Sequence, residues 1–270
     1  MTIILSILLL LALILLGGKR NQTIQFDKAV KQLLSNATIV ATPEFQYQQI
    51  INLPEPLKRY FKHVLKEGQP AISFIRMRHE GQFKTGIDKE WINITGEQYA
   101  TTQRPGFIWK GTTSLFTARD MYIGDKGRLI VTLLSLYNMV DAQGEHYDQG
   151  ELLRWLGESV LYPTNLLPSH QLQWLPIDTH KAKLIFNYNN LSLFFIFTFN
   201  ILGEITEMET KRYMDNQNLE TWVIKVADYE EMNDIRIPTS FEVLWRLAKG
   251  DFSYAKFTMT VVEYGKDEKF

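Results

Sequence analysis

The densest set of reactive side chains lies between Gly150 and Pro163, in Gly-Glu-Leu-Leu-Arg-Trp-Leu-Gly-Glu-Ser-Val-Leu-Tyr-Pro. Glu151, Arg154 and Glu158 fall at i, i+3 and i+7, so on a helix their side chains share one face. Leu152, Leu153, Leu156 and Val160 make an apolar stripe on another. Two carboxylates flanking a guanidinium could hold the polar head of a ligand. They could also work as an acid/base pair, if burial or a like charge raised one of them. The plain alternative is an amphipathic helix with an ion-pair ladder on its wet face. In the head-group reading Trp155, Trp109 and several phenylalanines would line the cavity beside the charges.

The other candidates are single residues. Arg104, in Gln-Arg-Pro-Gly-Phe-Ile-Trp109, could face an anionic group or simply stand in solvent on its loop. His79-Glu80 is placed at a strand end and His146-x-Asp148 just before the central helix; neither has a third ligand nearby, so no metal site is assigned. The five histidines are scattered, and most are expected at the surface. There is no Gly-x-Ser-x-Gly, and Ser159 has no neighbouring histidine. No catalytic residue and no cofactor is assigned. The absence of cysteine removes disulfides, thiol nucleophiles and cysteine zinc sites. A net charge of −1 argues against a nucleic-acid partner.

These side chains need elements to position them, and the first element is apolar. Ile3 to Leu16 is interrupted only by Ser6 and ends in Gly17-Gly18-Lys19-Arg20. As a helix, Thr2 to Gly18 reaches about 25 Å, short for a span but workable with snorkelling of Lys19 and Arg20. A cleaved signal peptide is the rival reading. No basic side chain precedes Ile3, and leucine would sit three residues before a cut after either glycine, which favours an uncleaved anchor. Lys19, Arg20, Lys28 and Lys31 all follow the run, so the charge bias places the body on the cytoplasmic side.

Residues 23–35 have helical spacing, with Ala29, Val30, Leu33 and Leu34 on one face. Thr42-Pro43-Glu44 reads as a helix start. Leu57, Tyr60, Phe61, Val64 and Leu65 form the face of a helix ending at Gly68. From Ala71 the pattern turns to β: Ile72–Arg78, Trp91–Thr95, Phe107–Trp109, Ser114–Tyr122 and Leu129–Val140. Gly124-Asp125-Lys126-Gly127 is a hairpin turn. After a helix at 149–161 come Ala182–Tyr188, Leu191–Phe199, Glu204–Tyr213, Thr221–Tyr229, Ser240–Leu247 and Phe252–Tyr264. Leu193 to Phe199 is continuously apolar and is expected to be a core strand covered on both faces, or else to line an apolar pocket or touch the bilayer. Consecutive strands without helices between them imply an antiparallel sheet. The expected fold class is α+β: a large curved antiparallel sheet around one central helix, after a transmembrane helix and short helices. The expected organisation is an anchor at 1–20, a helical connector at 21–70 and the β body at 71–270.

Leu53-Pro-Glu-Pro-Leu-Lys-Arg-Tyr60, the Gly150–Pro163 stretch, and Ile237-Pro238 with Trp245 follow one another in an order that resembles the uncharacterised bacterial DUF6544 family. That family opens with Leu-Pro-x-Pro-Val-x-Arg-Tyr and carries a Gly-Glu-Leu-x-Arg-x-Leu-x-Glu helix; Leu57 stands here in place of the valine. The resemblance implies a half-barrel like those that carry lipoproteins and lipids, and an exported location, against the charge bias. It implies no reaction. The expected function is a membrane-tethered module binding a lipid or other apolar ligand through Glu151, Arg154, Trp155, Glu158, Arg104 and Trp109. The alternatives are an assembly protein contacting other membrane proteins, and an envelope enzyme using Glu151 or Glu158.

Overall fold

The computed structural model describes residues 2–37 and 44–270. Helix α1 (Thr2–Ser35) is continuous, about 50 Å long at the usual helical rise. The apolar run and the helix read at 23–35 are therefore one rod, and Gly17-Gly18 does not break it. The large apolar side chains from Ile3 to Ile14, and Leu16, are 47–77% exposed. The second half packs through Phe26, Val30 and Leu33 onto Tyr99 and Ile108, with Ala29 and Leu34 at the margin. The helix start read at Thr42-Pro43 lies outside the described residues. Helix α2 (Glu55–Val64) has Pro56 in its first turn. Its face of Leu57, Tyr60, Phe61 and Val64, followed by Leu65, is at most 2% exposed.

The body is one sheet. Its strands are β1 (Phe74–Phe83), β2 (Ile92–Thr101), β3 (Gly106–Thr112), β4 (Phe116–Ile123), β5 (Lys126–Leu133), β6 (Tyr137–Gln143), β7 (Leu172–Pro176), β8 (Lys181–Tyr188), β9 (Leu191–Phe199), β10 (Ile205–Tyr213), β11 (Leu219–Met232), β12 (Ile235–Leu247) and β13 (Gly250–Tyr264). The order is β6-β5-β4-β3-β2-β1-β13-β12-β11-β10-β9-β8-β7, and each pairing is antiparallel. Two meanders are thus joined by the β1–β13 pair. Register shifts on β1/β13, β12/β13, β9/β10 and β5/β6 are bulges that add twist and curl the sheet. The β4–β5 turn has Gly124 and Asp125 at φ +62° and +67°, the two-residue geometry that favours glycine and aspartate.

Helix α3 (Glu145–Gly157) lies in the concavity and tightens into 3-10 turns at Glu158–Leu161 and Pro163–Leu166. It starts four residues before the helix expected at 149–161. Leu152, Leu153, Trp155, Leu156, Val160, Leu161 and Tyr162 are at most 2% exposed and share one core with Phe186, Phe195, Phe197 and Phe199. The expectation for Leu193–Phe199 is corrected here. Leu193, Phe195, Phe197 and Phe199 are buried on the inner face, but Phe194, Ile196 and Thr198 are half-buried on the outer one. Their apolar outer residues hid an alternating strand. β7 had no place in the expected set: it is short, at an edge, and ends in Pro176.

Candidate functional site

Register defines the inner face of the first meander. Met77, Gln98, Trp109, Asp120 and Leu129 are directly opposite one another across β1 to β5. The next inward row is His79, Gly96, Gly111, Ala118 and Val131. The glycines leave space for rings. A Cβ at Gly96 would sit 1.9 Å from His79 Nε2, and one at Gly111 2.2 Å from Trp109 Cη2. The Trp109 indole N–H donates to His79 Nε2 at 2.8 Å, with the two ring planes 2° apart and the ring centres 6.0 Å apart. The single N–H proton of the neutral imidazole is therefore on Nδ1, which has no partner among the described residues. Burial first, and then the Arg154 charge, push the His79 pKa down to about 3. His79 lies within β1, which corrects its placement at a strand end, and at 6% exposure it is not among the surface histidines.

Helix α3 lowers its charges onto the first row. Arg154 donates from Nη1 to Asp120 Oδ2 at 2.5 Å, from Nε to Glu158 Oε1 at 2.8 Å and from Nη2 to Gln98 Oε1 at 3.2 Å. Gln98 closes the ring by donating to Glu158 at 2.5 Å. The Arg154 guanidinium also lies over the rings of Phe107 and Trp109, at 5.0 and 4.8 Å. Burial opposes its charge, but Glu158, Asp120 and Glu151 outweigh that and raise its pKa. Glu151 does not pair with Arg154. It accepts at 3.1 Å from Arg212, which reaches across from β10 and stacks on Trp222.

The face read as a wet ion-pair ladder is closed. Glu151 is 3% exposed, and the side chains of Arg154, Glu158, Asp120 and Arg212 are 12–18% exposed. An amphipathic pattern does not reveal that a sheet curls around both sides of its helix. Burial first, and then the Asp120 carboxylate, raise the Glu151 pKa well above the ordinary carboxyl range, against the pull of Arg212 and Arg154. Three carboxylates and two guanidiniums sum to −1 when all are charged. A proton on Glu151 makes the group neutral. That proton also supplies a donor between Glu151 Oε2 and Asp120 Oδ1, both buried without a partner otherwise.

Beyond this cluster the inner face is only partly covered. Phe83, Phe116, Val131, Leu133, Tyr254 and Phe257 are half-buried there, beside His79, Trp109 and Trp245 at 6–8% exposure. His79 and Phe257 are 4.2 Å apart between ring centres, and Tyr254 accepts the Trp222 N–H at 2.9 Å. Together they make a half-covered aromatic surface on the inner face, termed the trough, with the Arg154–Arg212 cluster beside it. Of the residues singled out from sequence, Glu151, Arg154, Glu158 and Trp109 come together. Trp155 points the other way, 1% exposed, and donates to the Thr101 carbonyl. Arg104 sits on the β2–β3 turn, pairs with Asp125 at 2.6 Å and takes no part in the cluster. Gln98, Asp120, Arg212 and His79 were missed as partners. Gly96 and Gly111, within strands, were the available signal.

A large antiparallel half-barrel closed by one inner helix defines the architecture. The chain belongs to the DUF6544 family, a family of unknown function whose profile matches residues 43–257. No curated protein matches it. Among solved structures it is similar to a LolA superfamily protein from Nitrosomonas europaea (TM-score 0.45, 10% identity, 78% of this chain and 92% of that one). It is also similar to a domain described as an outer membrane lipoprotein-sorting protein from Vibrio parahaemolyticus (0.42, 9%, 73% and 87%). A third is a DUF1329 family protein from Desulfovibrio piger (0.35, 9%, 73% and 88%).

Proposed function

We propose that this protein is a membrane-tethered binding module that takes a lipid or other apolar ligand into the aromatic trough, with its polar end against Arg154 and Arg212. The observation that carries this reading is the pairing of half-covered aromatic side chains with a desolvated guanidinium cluster. Ligand sites combine an apolar lining with a few converging polar groups, and this is the arrangement beyond α3. With a proton on Glu151 the ion cluster sums to zero, and a head group then exchanges only hydrogen bonds at Arg154 or Arg212.

In the same reading residues 1–20 are an uncleaved tether, 21–70 a connector and 71–270 the binding body. The support is that α1 passes without a break from its exposed apolar half into the half buried on the sheet. A brominated fatty acid tests the trough. It should quench tryptophan fluorescence of the full chain, and Trp109→Phe should remove part of the quenchable signal. Unchanged fluorescence at saturating ligand rejects the reading.

A further inference from the structure

Helix α1 leaves the body beside two hairpin tips. A Cβ on Gly18 would lie 2.6 Å from Leu136 Cδ2 and 2.7 Å from the Ser135 carbonyl, so the β5–β6 tip is pressed against the helix where its exposed apolar half begins. The Leu134 N–H donates to the Leu115 carbonyl at 2.8 Å, which joins the β3–β4 tip to the β5–β6 tip. Leu115, Leu134, Leu136, Tyr137 and Met139 are 48–69% exposed. A cluster of this kind in water is a contact surface in want of a partner. Leu134 and Ser135 hold positive φ of 48° and 63°, a conformation that costs energy in residues other than glycine and here turns the leucines outward.

Two more observations fix the partner as a lipid surface. Just past Gly18, a groove of about 730 Å³ opens between α1 and β4–β6. Its wall carries Gln22, Gln25, Lys28, Arg119 and Arg128 beside apolar Met121, Ile130 and Leu136, and no acidic side chain among the described residues. Arg119 is 8% exposed with its Nε unpartnered. Arg128 is held by Asp141 at the rim. Gln25 lies seven residues beyond Gly18, about 10 Å along the helix. This depth lies just outside the layer of phosphates next to a hydrocarbon core ending near Gly18. The trough, for its part, runs along Ala118 and Val131 to the pair Phe116 and Leu133, immediately before the same two tips.

We infer that the Leu115, Leu134 and Leu136 tips seat in the leaflet that holds α1, so that the trough opens directly onto the bilayer. A ligand then passes between leaflet and trough without crossing water. This rests on the membrane reading of α1 but not on the trough being filled. The absence of cysteine makes single-cysteine labelling unambiguous.

The full chain, reconstituted in phosphatidylcholine–phosphatidylglycerol nanodiscs, is labelled with NBD at Leu115→Cys, Leu136→Cys or Gln103→Cys. The last lies on the β2–β3 turn at the opposite end of these strands. Seating predicts blue-shifted emission and quenching by spin-labelled lipid at 115 and 136, with neither at 103. Equal, water-like emission at all three sites overturns it. So does recovery of a chain cut near Gly18 that no longer binds the discs. Quenched tips together with an empty trough would keep the seating and reject the ligand reading.

Discussion

Glu151→Gln separates a protonated glutamic acid from an ionised one. Glutamine keeps the shape, keeps an oxygen for Arg212 and offers an N–H to Asp120, so it mimics the neutral acid. A carboxyl whose pKa is raised on folding binds its proton more tightly in the folded state. Its stabilising share is complete below the unfolded value of 4.5 and is lost as pH rises toward the folded value. The slope is about −1.4 kcal/mol per pH unit over that window. His79 runs the other way. Its folded value is lowered from 6.5 to about 3, so its share is present above 6.5 and falls with acid at about 1.4 kcal/mol per unit. Above 4.5, where the two windows overlap, the slopes oppose one another.

The variant minus wild-type stability, from urea unfolding of the full chain across pH, should be near zero below pH 4.5. Above that it should grow in favour of the variant at about 1.4 kcal/mol per unit until the folded carboxyl titrates. The wild type should also show an infrared band of a protonated carboxyl that the variant lacks. A variant that loses several kcal/mol at neutral pH, with an unchanged slope, would mean that Glu151 is ionised and the reasoning fails.

Three further substitutions probe the same body. Arg154→Met leaves Asp120 and Glu158 buried without a counter-charge and should cost about 3–5 kcal/mol of unfolding free energy; a loss below about 1 kcal/mol would mean the cluster is well hydrated. Trp109→Phe removes the donor to His79 Nε2 and should cost about 1–3 kcal/mol, with the His79 imidazole signal in NMR shifted and still neutral at pH 5. Phe26→Ala empties a fully buried site between α1 and Tyr99, at about 3–5 kcal/mol. Hydrogen exchange should then rise over residues 22–35 while β9 and β10 stay protected.

The hairpins and helices with strong local signals were legible in the sequence. Gly124-Asp125 marks its own turn, the Leu57–Leu65 face its own helix, and the strand succession its own antiparallel order. The Glu151–Arg154–Glu158 spacing marked one face of α3. Its partners could not be read because they come from β2, β4 and β10, brought near by the curl of the sheet. Curl is set by bulges, and a bulge such as that between Arg78 and His79 leaves no mark in composition. The largely apolar β9 concealed its alternation for a different reason: both faces carry apolar residues, though only one is deeply buried.

An apolar ligand in the trough should travel with the protein through purification. Residues 21–270, produced without detergent and extracted with organic solvent, are analysed by mass spectrometry beside a Val131→Trp copy that fills the trough floor and leaves the ion cluster intact. A ligand in the trough gives a stoichiometric lipid from the wild type and none from the variant. An empty wild type, or the same lipid from both, would contradict it.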